Sequence, residues 1–154
     1  MATQVTILIQ DDEDTRKEID ALCETAPDEV LAKWAVKIAQ RVLTFTGIDY
    51  QNNPVLSEGF QMAEGYWHNR ASLQDVREAA FKIHSLSRYA GDEDKKNAMR
   101  VAGQAVTTSY MKAHAIITSG YAIKVVNLRK PGENRCVQEE RLKQKEELQA
   151  LIHA

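Results

Sequence analysis

Arg100, Gln104, His114 and Tyr121 fall on a single line of a helical projection in the second half of the chain. They belong to the series Arg100, Gln104, Thr107, Met111, His114, Thr118, Tyr121 and Val125, which advances by steps of four and three, the spacing of one continuous helix face; if the helix breaks, only the two halves keep that alignment. Such a stripe sets a permanent cation, a carboxamide, an imidazole that titrates near neutral pH and a phenol side by side. Those groups could line a small-molecule pocket or serve as general acid and base. They also have a structural use, because amphipathic side chains bury their stems and hold their polar tips at a hydrogen bond or in water. The neighbouring face favours the structural use: Met99, Ala102, Val106, Ala113, Ile117 and Gly120 are small or apolar and let helix backbones approach closely.

Other constellations are weaker. None of the four histidines forms HxxxH or ExxH, so the paired Glu-x-x-His of carboxylate-bridged di-metal bundles is missing. Glu64 and His68 stand one turn apart, but two ligands do not make a zinc site, and no metal or cofactor is expected. Cys23 and Cys136 lie far apart without CxxC spacing, which points to reduced thiols. GxSxG, P-loop and GxGxxG motifs are absent, and Asp75, His84 and Ser85 have no spacing that implies a triad. The expectation is a protein that is not an enzyme.

Charge is distributed unevenly. The formal net charge of −2 offers no excess of cation for a phosphate backbone, and no nucleic-acid partner is expected. Between Asp11 and Glu29 stand nine acidic residues (Asp11, Asp12, Glu13, Asp14, Glu18, Asp20, Glu24, Asp28 and Glu29) against Arg16 and Lys17. The stretch 129–145 carries six basic residues against three acidic ones, so the two ends are opposite in sign. Solvated helix faces account for both runs. The opening MATQVTILIQDDED has neither a basic start nor a long apolar run, and no later segment approaches the ~20 apolar residues of a membrane span. A cytoplasmic location without a membrane partner is the simplest expectation.

The elements that must position these groups read as helices. With 154 residues, 44% hydrophobic and 27% charged, and with seven glycines and three prolines, the chain suits one helical domain spanning residues 1–154. Val5, Ile7 and Ile9 form a run too short to separate a strand from a packed lead-in. Asp14 or Thr15 can cap a surface helix ending at Thr25, so that 1–27 forms an acidic lead-in and surface helix. Asp28 caps the next helix, whose core stripe is Leu31, Ala35, Ile38, Val42 and Phe45, with Gly47 as its stop. Pro54 opens a third helix along Leu56, Phe60, Ala63 and Trp67. Ser72 with Asp75 resembles a capping box for a fourth, whose inner face is Leu73, Val76, Ala80, Ile83 and Ser87.

One helix over 97–127 would be about 46 Å long, more than a small domain accommodates, so two helices with a break near 110–113 are expected. Pro131-Gly132 closes a core region, 28–131. A charged C-terminal helix follows in 132–154, with Val137, Leu142, Leu148 and Ile152 on its apolar side. The fold class is all-α, a single compact bundle of about six helices.

Several segments, in order, carry a family resemblance: Leu31-Ala32-Lys33-Trp34-Ala35 with Ala39-Gln40-Arg41-Val42-Leu43, then AMRVAGQA at 98–105, then His114-Ala115, then Tyr121-Ala122-Ile123-Lys124. Over about 30–152 the chain resembles the Imm-5-like family of small all-helical bacterial immunity proteins linked to polymorphic toxin systems. Asn52-Asn53-Pro54-Val55 departs from the arginine-proline step of that pattern, and the acidic lead-in lies outside it. The resemblance implies a protein that binds and neutralises a cognate toxin by contact and carries no catalytic residues across. Asp11, Asp12, Glu13 and Asp14 are the first candidates for meeting a basic toxin surface, because opposite charges speed encounter and set register. The alternatives are a ligand or enzyme pocket built on Arg100, Gln104, His114 and Tyr121, and a homo-oligomer joined through the small-residue helix face.

Overall fold

Capping and periodicity together divide the chain into its elements. The structure is a computed structural model, which describes residues 9–154. Its helices are α1 (Glu13–Thr25), α2 (Asp28–Phe45), α3 (Pro54–Trp67), α4 (Leu73–Ser87), α5 (Glu93–Thr108), α6 (His114–Arg129) and α7 (Asn134–Ile152), with a 3₁₀ turn at Tyr50–Asn52 before α3. There are therefore seven α-helices among the described residues, rather than about six, and no strands. Of the opening run Val5, Ile7 and Ile9, only Ile9 is described, and it is exposed.

The expected capping box of α4 is present: Ser72 accepts from the Asp75 amide and Asp75 accepts from the Ser72 amide. Asn53 caps α3 by accepting from Val55 and Leu56, with Pro54 supplying the preset first turn. At α1 the cap is Asp12 rather than Asp14 or Thr15; its carboxylate accepts from both the amide and the hydroxyl of Thr15. At α2, Pro27 occupies the cap position and Asp28 is the first helical residue. Gly47 follows α2 with φ +82°, a conformation that costs a side-chain-bearing residue about 1–2 kcal/mol.

Hydroxyl-bearing side chains cluster at the break between α5 and α6. Thr107 and Thr108 donate to the carbonyls of Gly103 and Gln104, one turn back, and Ser109 donates to the Val106 carbonyl. The backbone tightens there, with the Ser109 and Tyr110 amides donating to the carbonyls three residues back, Val106 and Thr107, and α5 ends.

Helix α5 packs against α2, α4 and α6, while α7 lies on α1, α2 and α6. The α2 stripe is buried from Leu31 to Val42, with Phe45 at its edge beneath the Arg129 guanidinium. Gly59 lets α3 approach α4, because a Cβ there would lie 2.5 Å from Ile83 Cδ1. Two expected core residues face outward instead: Leu73 begins α4 at its exposed end, and Leu142 is off the packed stripe of α7. That stripe is Val137, Arg141, Gln144 and Leu148, stepping by four, three and four, and two of its four members are polar.

The polar pair brings its own partners. Arg141 donates through Nε and Nη2 to the two oxygens of Asp11, 2.8 Å each, and through Nη1 to Gln144 Oε1. Gln144 Nε2 donates to the Ser119 carbonyl on α6 and to Glu140, whose carboxylate also accepts a two-point contact from Arg41 on α2. Arg41 reaches Glu147 as well, and Trp34 Nε1 donates to the Gln144 carbonyl at 2.8 Å. Upstream, Gln10 and Asn127 exchange hydrogen bonds through the Gln10 backbone and the Asn127 carboxamide.

Asp11→Ala leaves the Arg141 guanidinium, 2% exposed, without its anion and is expected to destabilise the fold by roughly 3–5 kcal/mol in chemical denaturation. Adding Arg141→Met should recover much of that loss. Equal stability of Asp11→Ala and the parent chain contradicts the account.

Candidate functional site

Helices α4, α5 and α6 converge around a cleft of about 280 Å³ lined by His84, Ser87, Arg88, Arg100, Gln104 and Tyr121. The α4–α5 approach is set by Gly103. A Cβ at that position would lie 2.5–2.8 Å from three atoms of the His84 ring, so only glycine lets the imidazole rest on the α5 backbone. His84 in the last turn of α4 and Arg88 at its C-cap stand one turn apart and reach the same opening.

Of the stripe anticipated from periodicity, Arg100, Gln104 and Tyr121 line the cleft together. His114 stands behind them: its Nδ1 meets Gln104 Oε1 at 2.6 Å. This contact takes the oxygen end of the carboxamide and leaves the Nε2 donor end without a protein partner among the described residues. His84, Ser87 and Arg88 complete the lining although the stripe does not include them. The signal that could have found them is the one-turn His84/Arg88 spacing at the end of α4, which becomes informative only once α4 is known to lie beside α5.

No carboxylate lines the cleft. Among the described residues, the guanidinium groups of Arg88 and Arg100 form no salt bridge or hydrogen bond, and neither the His84 ring nor the Tyr121 hydroxyl has a hydrogen-bond partner. Lys124 lies over the Tyr121 ring, 5.9 Å from its centroid, and adds a third permanent cation nearby. Burial, then the charges of Arg100 and His114, hold the His84 pKa below the ordinary histidine value.

The acidic segment divides into internal and exposed groups. Asp11 is committed to Arg141; burial alone would raise its pKa, but the hydrogen bonds and charge of Arg141 outweigh burial and hold it below the usual carboxylate range. Asp12 is the α1 cap. Glu13 and Asp14 are exposed, as are Glu18, Glu24, Asp28 and Glu29. The small-residue face divides at the break: Met99, Ala102 and Val106 on α5 are buried against neighbouring helices, whereas Ala113, Ile117 and Gly120 are exposed. The Cys23 thiol is pushed up to about 12 by burial and then by Asp20, which keeps it protonated at neutral pH. No cluster of three or more histidine, cysteine, aspartate or glutamate side chains among the described residues is arranged to hold a metal, and no described helix is long and apolar enough to cross a membrane.

A family model described as Imm-5 like putative immunity protein matches residues 21–151, starting within α1 and so earlier than position 30. No curated protein and no solved structure matches the chain.

Because folding holds His84 neutral, only the unfolded chain takes up this proton between the folded-state pKa and about 6.5, and stability falls as pH drops through that window. His84→Gln is expected to flatten this part of the pH–stability curve, measured by denaturant midpoints between pH 8 and 5. Gly103→Ala should cost about 1–3 kcal/mol by forcing the imidazole off α5, and a neutral result in the same assay would show that the ring moves freely.

Proposed function

The chain belongs to the Imm-5 like putative immunity protein family, and from that membership we propose that it binds a cognate bacterial toxin and neutralises it by contact, without chemistry of its own. The family match carries this reading. A contact of that kind requires an exposed complementary surface, with a total burial on the order of 1,600 Å².

The proposed contact is the acidic face of α1, centred on Glu13 and Asp14. Exposed carboxylates there accelerate encounter with a basic partner and set its orientation. Asp11 and Asp12 serve this face indirectly. They hold the start of α1 against α7 and cap it, so reversing their charge would disturb the helix itself. A competing face is the groove of about 840 Å³ along α4 and α5, where Leu73 and Phe81 are exposed beside Tyr110 and Arg77. Aromatic anchors of this type carry affinity more than association rate. Helices α1 and α4 do not pack on each other, so separate variants can distinguish the two faces.

Co-expression with the product of the neighbouring gene, where the partner toxin of an immunity protein is expected, tests the reading by cell survival. Specific rescue is the expected outcome; a toxic neighbour without rescue removes it as the partner. Glu13→Lys combined with Asp14→Lys is expected to slow association about tenfold or more at low salt, while Phe81→Ala leaves it unchanged. The reverse pattern places the contact on the α4–α5 groove.

A further inference from the structure

The cleft between α4, α5 and α6 concentrates positive charge that the rest of the described chain does not neutralise. Of the four arginines that are not exposed, Arg16 has Asp11 and Glu13, Arg41 has Glu140 and Glu147, and Arg141 has Asp11, whereas Arg100 has no carboxylate partner among the described residues; exposed cations such as Arg70 and Arg77 are likewise unpaired. Arg88 and Arg100 face one opening without any such partner, and the remaining lining contains only His84, Ser87, Gln104 and Tyr121. Two guanidinium groups sharing a cleft repel one another, and each presents planar N–H forks suited to oxyanions.

The other side chains are arranged as donors. Gln104 has its oxygen occupied by His114, so Nε2 is the end left to the cleft. The Tyr121 hydroxyl is a free donor, and Gly103 holds the His84 ring, whose nitrogens have no protein partner, against α5. Ser87 is the exception, since its hydroxyl hydrogen goes to the His84 carbonyl. We infer that this cleft is a binding site for a small phosphate-bearing ligand, with Arg88 and Arg100 neutralising the anion and Gln104 and Tyr121 fixing its oxygens.

Phosphate fits better than carboxylate on two counts. Its charge near −2 balances two guanidinium groups, whereas a carboxylate leaves one unneutralised. Its additional oxygens can accept from both forks and from the carboxamide and phenol together. The volume of about 280 Å³ admits one small molecule rather than a polymer. His114 acts as a positioning residue, because it holds the Gln104 oxygen and does not itself line the cleft. This inference stands apart from toxin binding.

Isothermal titration of the full chain with inorganic phosphate, phenyl phosphate and acetate, at constant ionic strength, tests it. Saturable binding of phosphate or of phenyl phosphate is expected, and which one binds tells the free ion from a monoester. Arg100→Gln and the surface variant Arg88→Gln should each weaken that binding by about tenfold or more, the scale of one charge-assisted contact, while Arg77→Gln in the neighbouring groove leaves it unchanged. Arg88 is exposed, so Arg88→Gln is expected to fold even where Arg100→Gln does not. Absence of saturable binding by both phosphates, binding of acetate alone, or phosphate binding indifferent to Arg88→Gln and to folded Arg100→Gln overturns the inference.

Discussion

A buried guanidinium must have its charge and its N–H groups met, and Arg141 imposes that requirement on four segments of the chain. With 2% of its surface exposed, it draws Asp11 down from the segment before α1, takes Gln144 from its own helix and lies 3.5 Å from the Ser119 hydroxyl on α6. Gln144 and Glu140 extend the network to Arg41 on α2, and Trp34 closes it against the α7 backbone. Removing a partner from such a network exposes the remaining groups to the full penalty of unmet burial, so the register of α7 on α2 and α6 is held at one setting. The reciprocal bonds of Gln10 and Asn127 hold the incoming chain in the same place.

This arrangement separates two kinds of acidic group that composition treats alike. Asp11 and Asp12 are consumed in building the start of α1, whereas Glu13 and Asp14 project from it. A run of carboxylates therefore serves first as structure and only then as surface. The division gives the proposed toxin contact a rigid support: the exposed pair sits on the first turn of a helix whose origin is fixed by an ion pair to α7.

At the other side of α5 the limiting constraint is steric. Gly103 gives the His84 imidazole a seat on a helix backbone, and that seat brings α4 close enough for Arg88 to share an opening with Arg100 and Tyr121. Small residues on the remaining α5 surface, Ala98, Ala102 and Ala105 among them, admit the other neighbouring helices. One helix thus packs tightly along most of its circumference while keeping a polar cleft along part of one edge. Tight packing and a charged opening coexist because Arg88 is exposed and Arg100 only half-buried, at the edge of the packed helices.

Local signals in the sequence determined the all-helical class, most helix boundaries and the core stripe of α2, while the break before α6 was expected only from the length one helix would have reached. The local signals are periodicity and capping, which act between residues a few positions apart. Arg100 and Gln104 share a face of α5 for the same reason, but Tyr121 stands on α6, and only the packing of α6 on α5 brings it beside them. Only tertiary structure decided that His114 turns to Gln104 rather than the cleft, that His84 and Arg88 join it from another helix, and that Asp11 belongs to Arg141. It likewise decided that α7 buries arginine and glutamine while Leu142 faces outward. A hydrophobicity pattern scores polar residues as surface, and the partners that make their burial favourable lie 130 positions away for Asp11 and 110 for Trp34, beyond the reach of any local rule.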